Sequence, residues 1–591
     1  MLGVMKDKKT GKRFHVPRSV VVIFIVLFSL LPLWSQSDEQ SRSIAAAGLP
    51  ENITFWSDYD NEILAQAIVD RMSDEELLSQ ILMFGWAGAE PSDLLKAWVQ
   101  NRGLGSVKVF GWNTADLKQV ARSVKEVQVE AASRKYKIPL FVATDQEGGW
   151  IRHVKGETSV TPGNMAIGSS GYPYDAYYSS YYINREIKAL GINMNFAPTV
   201  DLYSNLDSTV IGPRSFGENP TDAGILGEAF TQGSIDAGVI PTAKHFPGHG
   251  DTGLDSHGRL PEINISIETF ENRELVPFKT LIKAGIPSIM SGHLSFPLIE
   301  TDGTPASLSK FMLTDVLRGQ LGYTGLVITD DMMMNGAILF AGSLSEAVTM
   351  AIEAGNDIVL SSTTAPLASA LWTENIRRMA NVPEFRQRVK DSAYNVIYHK
   401  MLYFKSDNAA PLYPDENKLS KYIPDREGQS FFLDQACRSV SVYKQGNSFP
   451  YRPAEGEKIL IAGPFSDFFK GGTTRYQGAQ TYSFSYDLSD DGSSSGSWDA
   501  QNLVAVARNY DTIVMTVYDW ASANLAQRLR SLNKKVIIFS VLSPVYVLNG
   551  FDWVDSIICG YSYSSYSFSA MWGVLNGEIE AQGKIPLNLA N

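Results

Sequence analysis

The feature that most constrains this chain is an eightfold alternation between residues 60 and 405, where short apolar or β-branched runs are separated by longer amphipathic stretches. The runs are 80–86 (QILMFGW), 105–110 (GSVKVF), 138–145 (IPLFVATD), 192–202 (INMNFAPTVDL), 239–245 (VIPTAKH), 287–293 (PSIMSGH), 326–330 (LVITD) and 357–361 (DIVLS). Strands spaced by helical stretches imply crossover connections, and hence a parallel sheet covered by helices. Eight such units over roughly 340 residues fit a (β/α)8 TIM-type barrel. Several runs end on polar residues: Asp145 on the third, Lys244 and His245 on the fifth, His293 on the sixth and Asp330 on the seventh. A barrel brings all these ends to one face, whereas an open doubly wound sheet gathers its ligand only where the strand order reverses. The convergence favours the barrel.

Residues 406–428 (SDNAAPLYPDENKLSKYIPDREG) carry no hydrophobic period and read as a linker. Beyond it, over 429–591, runs at 458–462, 512–517, 536–542 and 555–559 alternate with helical stretches and predict an αβα sandwich domain. The Gly-, Ser-, Tyr- and Asp-rich segment 471–498 predicts a long surface loop. The chain of 591 residues is long enough for two cores, since single cores rarely grow past ~250–300 residues.

Six basic side chains and one acidic one occupy the first 18 residues, followed by an apolar run at 19–34 (SVVVIFIVLFSLLPLW). That is the pattern of an export signal, and residues 1–37 are expected to be a cleaved signal peptide or an N-terminal anchor, with 38–59 as a connecting segment. The run falls short of the ~20 residues that span a bilayer comfortably, which favours cleavage. The chain is therefore expected in the periplasm or outside the cell, with membrane contact only through this segment. Its net charge of −12 is a poor match to nucleic acid. Cys437 and Cys559 are the two cysteines and sit among apolar residues, which suggests buried thiols.

The densest chemistry lies in Lys244-His245-Phe246-Pro247-Gly248-His249-Gly250-Asp251-Thr252 and Asp255-Ser256-His257. Pro247, Gly248 and Gly250 prevent the helix that would set His245 and His249 on one face, and Lys244 would repel a cation, so no metal is expected. A solvated loop needs no such fixed backbone path, and loops at strand ends usually hold something. Asp255 and His257 are two apart; in extended backbone the carboxylate can orient the imidazole, leaving its other nitrogen as acid or base. Asp330 follows an apolar strand and should face the barrel axis, while Asp331 begins the next loop. A carboxylate nucleophile with a separate proton donor is the equipment for retaining glycoside cleavage.

Together with ATDQEGG at 143–149, NFAP..DL at 195–202, GPRSFG at 212–217 and ITDDM at 328–332, the KHFPGHGDT…DSH stretch resembles glycoside hydrolase family 3. It is most similar to the bacterial β-N-acetylglucosaminidase branch, and WGVLNGE at 572–578 with GKIP at 583–586 resembles the family's sandwich domain. The resemblance implies Asp330 as nucleophile and His257 as acid/base with Asp255 as its partner. It also implies that Asp145, Arg214, Lys244 and His245 hold the sugar hydroxyls and N-acetyl group, with no cofactor. The substrate would be an oligosaccharide or muropeptide bearing a terminal β-linked N-acetylglucosamine. One departure stands out: the family's pattern has an Arg eight positions after Asp145, where this chain has His153, preceded by Arg152. Rival readings are a β-glucosidase or β-xylosidase, a phosphorylase of the same fold, and a non-catalytic exported glycan-binding protein.

Overall fold

The computed structural model describes residues 41–208, 210–253, 260–488 and 498–588. The export segment, Asp255 and His257 lie outside the described residues. Strands β1 (Leu82–Phe84), β2 (Ser106–Lys108), β3 (Phe141–Thr144), β4 (Met194–Asn195), β6 (Ser288–Ser291), β7 (Leu326–Thr329) and β8 (Val359–Ser361) each fall within one of the eight predicted runs, and β5 (Ile240–Phe246) overruns its run by one residue. They pair in parallel in the order β8-β1-β2-β3-β4-β5-β6-β7. A parallel bridge between Ile328 and Ile358 links β7 back to β8 and closes the barrel.

The strands read as continuous apolar runs because each is covered on both faces, by the barrel interior and by the outer helices; β3, β5 and β7 are buried at every position. The helix Leu117–Ala132 shows how the outer ring forms. Leu117, Val120, Ala121, Val124, Val127 and Ala131 recur at helical spacing and are buried, and Asp116 caps the first turn by accepting from the Lys118 amide. The helix Pro220–Ala237 starts on an Asn219 cap and stops at Gly238, whose φ of 86° favours glycine.

The barrel's last helix, Pro383–Phe404, leads into the linker, which ends slightly before its predicted limit because Asp425 already caps the helix Arg426–Ser439. The second domain is a six-stranded sheet. Its strands are β9 (Ser441–Lys444), β10 (Ile459–Gly463), β11 (Gln480–Ser483), β12 (Thr512–Val517), β13 (Lys535–Ser540) and β14 (Ser556–Cys559), in the order β9-β14-β13-β12-β10-β11. Only β9 runs antiparallel, at one edge.

Two expectations need correction. The 471–498 segment is not one long loop: its start completes the helix Ser466–Arg475 and its middle is the edge strand β11. Gly471 and Gly472 are there for packing, since a Cβ on either would lie 2.5–2.6 Å from the ring of Trp572. Cys559 is a buried free thiol, pushed up to about 12 by burial, but Cys437 is only half-buried.

The two domains share apolar and polar contacts. Met165, Ala166 and Tyr203 of the barrel pack into the sandwich core. Arg438 grips Asp175 with Nη2 at 2.6 Å, Ser169 Oγ donates to the Ser439 carbonyl at 2.7 Å, and Ser562 Oγ donates to the Thr161 carbonyl at 3.2 Å.

Candidate active site

The C-terminal ends of β2 to β7 enclose two linked groups of charged side chains. The first forms around the β3 end. Asp145 Oδ1 accepts from Lys244 Nζ at 2.6 Å, and Oδ2 lies 2.7 Å from Lys108 Nζ. Lys244 also reaches Glu147 Oε1 at 2.7 Å, and Arg214 closes on Glu147 with Nε and Nη2 at 2.9 and 2.8 Å. The result is a buried chain of alternating charge from Lys108 to Arg214. Burial alone would push both carboxylates up. Lys108 and Lys244 nevertheless hold Asp145 well below the usual range, and Arg214 with Lys244 holds Glu147 at about 2.

The second group joins β4, β5 and β7. A register shift in the β5–β6 pairing between Ala243 and Phe246 marks a bulge, which re-aims side chains so that Lys244 and His245 both serve this mouth. Asp201, which follows β4, accepts from His245 Nδ1 at 2.6 Å, from the His245 amide at 3.1 Å and from the His249 amide at 2.7 Å. With Nδ1 donating to Asp201, Nε2 faces Asp330 Oδ2 at 4.0 Å. Burial opposes the charge on Asp330, but His245, His293 and the Asp331 amide at 2.8 Å outweigh it and keep its carboxyl below the ordinary range. That leaves an ionised carboxylate with 18 % of its side chain open to the mouth.

Asp331 turns away and caps the following loop, accepting from the Met333 and Ser362 amides at 3.0 and 2.9 Å, as expected of a loop-starting residue. His293 is held by Ser307 at 2.7 Å and donates from Nε2 to the Asp331 carbonyl at 3.1 Å. His249 is buried, with neither ring nitrogen hydrogen-bonded to a described residue, and burial lowers it to about 4. No cluster of three or more metal-binding side chains occurs among the described residues.

The described site residues proposed from sequence, Asp145, Arg214, Lys244, His245 and Asp330, thus all stand at one barrel mouth. Three members were missed. Glu147 and Asp201 lie inside quoted motifs, but nothing in the sequence told them from other polar positions. Lys108 did carry a signal, as the one charged residue in an otherwise apolar strand run. At the position of the expected Arg, His153 places Nδ1 3.5 Å from Asp145 without a hydrogen bond, and burial lowers it to about 4. Arg152 does not substitute: it points to Thr158, donating to Oγ1 at 2.9 Å.

A closed parallel barrel with ionised carboxylates at one mouth, joined to an αβα sandwich, defines a two-domain barrel architecture shared with known proteins. Residues 73–396, more than half of the chain, match the glycosyl hydrolase family 3 N terminal domain. A beta-hexosaminidase A of Pseudoalteromonas piscicida is 32% identical over 394 residues, 57% of this chain and 65% of that relative. The chain thus spans just under two thirds of that relative's length. A beta-hexosaminidase of Tolumonas auensis is 37% identical over 260 residues, 44% of this chain and 75% of the relative. The solved structure of a family 3 beta-N-acetylglucosaminidase from Paenibacillus sp. superimposes with a TM-score of 0.77 at 27% identity, covering 88% of this chain and 99% of that one. The chain belongs to glycoside hydrolase family 3.

Proposed function

We propose that the protein is a retaining exo-β-N-acetylglucosaminidase that releases terminal β-linked N-acetylglucosamine from peptidoglycan fragments or chitin-type oligosaccharides outside the cytoplasm. The observation that carries the reading is the ionised Asp330 carboxylate on β7, facing a hydroxyl-binding cluster around Asp145 across the same barrel mouth. The named activities of relatives at 27–37% identity support the N-acetylglucosamine specificity.

In this mechanism Asp330 attacks the anomeric carbon as the bond to the leaving oxygen breaks, giving a glycosyl ester. His257, oriented by Asp255, delivers its proton to that oxygen. The same imidazole then takes a proton from water, whose oxygen displaces Asp330 and restores the original anomeric configuration. Both residues lie outside the described part of the chain, and their roles follow from the DSH motif. Asp201 fixes the His245 tautomer, so that His245 stands beside the nucleophile with a defined nitrogen. Asp145 accepts from sugar hydroxyls, while Lys244 and Arg214 hold it and Glu147 in place and offer their remaining N–H groups.

The test is a panel of p-nitrophenyl glycosides with the product anomer recorded by NMR. Preferential turnover of the N-acetyl-β-glucosaminide with first-formed β-product is expected. Preference for the β-glucoside or β-xyloside, a phosphate-dependent glycosyl phosphate product, or inversion would overturn the reading.

A further inference from the structure

Lys108 ends β2 and is buried, with only 6 % of its side chain exposed. Its ammonium lies 4.1 Å from the Phe110 ring centroid and 5.1 Å from that of Phe196, so it sits in an aromatic cleft with Asp145 as its ion-pair partner. It shares Asp145 with Lys244, which divides itself between Asp145 and Glu147. Burying an ammonium is costly unless something accepts from its donors. An ammonium has three donors, and among the described residues Asp145 is its one ion-pair partner.

The barrel order says what that acceptor is. β7, which carries Asp330, stands four strands from β3 and three from β2 around a ring of eight, so the Lys108–Asp145 pair lies across the mouth from Asp330. A terminal sugar with its reacting carbon at Asp330 directs its far hydroxyls there. We propose that Lys108 contacts the C3 or C4 hydroxyl of the terminal sugar together with Asp145, and so supplies from β2 the cationic contact that His153 and the diverted Arg152 do not make. The assignment rests on the glycosidase reading and extends it to a specificity-determining residue. A lysine reads one hydroxyl as a point donor, whereas an arginine could grip two in a fixed fork.

The experiment compares the unaltered protein, Lys108→Met and Lys108→Met/His153→Arg on p-nitrophenyl N-acetyl-β-glucosaminide and on its 3-deoxy and 4-deoxy analogues. Thermal midpoints are recorded for each. In the unaltered enzyme, removing the hydroxyl that Lys108 reads should lower kcat/KM about 10–100-fold, as expected for a hydrogen bond to a charged group. Lys108→Met should lose about as much on the parent substrate but less than about threefold more on that deoxy analogue, and the double variant should regain part of the loss. Equal losses on parent and deoxy substrates would assign Lys108 a structural role and overturn the proposal, as would an unchanged Lys108→Met enzyme. If Lys108→Met does not fold, Lys108→Arg carries the test: a changed ratio between parent and deoxy substrates supports the contact, and an unchanged ratio refutes it. Absence of turnover by the unaltered protein on every N-acetyl-β-glucosaminide would instead sink the activity reading, and the Lys108 assignment with it.

Discussion

Replacing Asp201 separates the two tasks that this buried carboxylate performs. Asp201 is 1% exposed, and its oxygens take three N–H groups, from the His245 ring and from the His245 and His249 amides, at 2.6, 3.1 and 2.7 Å. Each hydrogen bond to an ionised acceptor contributes ~1.5–3 kcal/mol, and each buried donor left without a partner costs ~1–3 kcal/mol. Because three donors share one carboxylate, these values do not add. Asp201→Ala should cost about 4 kcal/mol, a fall of roughly 5–10 °C in thermal midpoint. Asp201→Asn behaves differently. Its oxygen can still accept from both amides, so the stability loss should stay near 1–2 kcal/mol. Its NH2, however, meets His245 Nδ1 and forces the ring into the neutral Nε2–H tautomer, which removes the imidazolium charge that helps keep Asp330 ionised. Without that charge kcat/KM should drop about 10–100-fold, the range expected when the orienting partner of a functional imidazole is changed. The assay is steady-state turnover of p-nitrophenyl N-acetyl-β-glucosaminide alongside circular dichroism melts. An Asp201→Asn enzyme of unchanged kcat/KM would refute the tautomer argument, even if the alanine variant proved unstable.

Other predictions follow from the same network and from the sandwich core. Glu147 and Asp201 are both held at about 2, below their ordinary 4.5 and 3.8, so each contributes stability that is fully present above its ordinary value and is lost as pH falls towards 2. At roughly 2–3 kcal/mol each, Glu147→Gln should flatten the loss of stability between pH 4.5 and 2 in acid titrations followed by circular dichroism; an unaltered acid transition would contradict it. His257→Ala should cripple turnover of oligosaccharides but largely spare the glycosylation step for aryl glycosides, whose leaving groups need little protonation; equal loss on both would remove it from the acid role. Gly472→Ala would put a methyl 2.6 Å from Trp572 and should destabilise the sandwich by about 1–3 kcal/mol, visible in urea melts.

The barrel was legible because each strand is buried on both faces and so appears as an unbroken apolar run, and because polar residues mark the strand ends. Asp330, Asp145 and Lys244 could be read for that second reason. The short strand β4 shows where legibility stops: within the run 192–202 only Met194 and Asn195 form regular strand, and the chain then bridges to β5 at Thr199 before carrying Asp201 under His245. Asp201 looked like any polar residue near a strand end, since its importance comes from burial against β5, which local sequence does not encode. β11 was hidden for a related reason. Its residues Gln480–Ser483 are polar and mostly exposed because it is an edge strand, and glycines that normally signal turns here make room for Trp572. Lys108 is the instructive miss, because a lone lysine in a buried strand was visible from the start.

In the proposed mechanism Asp330 forms a covalent bond with the terminal sugar. An activated fluorosugar glycoside of N-acetylglucosamine, incubated with the protein and followed by peptide mass spectrometry, traps that bond. One glycosyl adduct per chain is expected, on the peptide that carries Asp330, and no adduct in Asp330→Asn. An adduct on another residue, or turnover with inversion and no adduct at all, would contradict it.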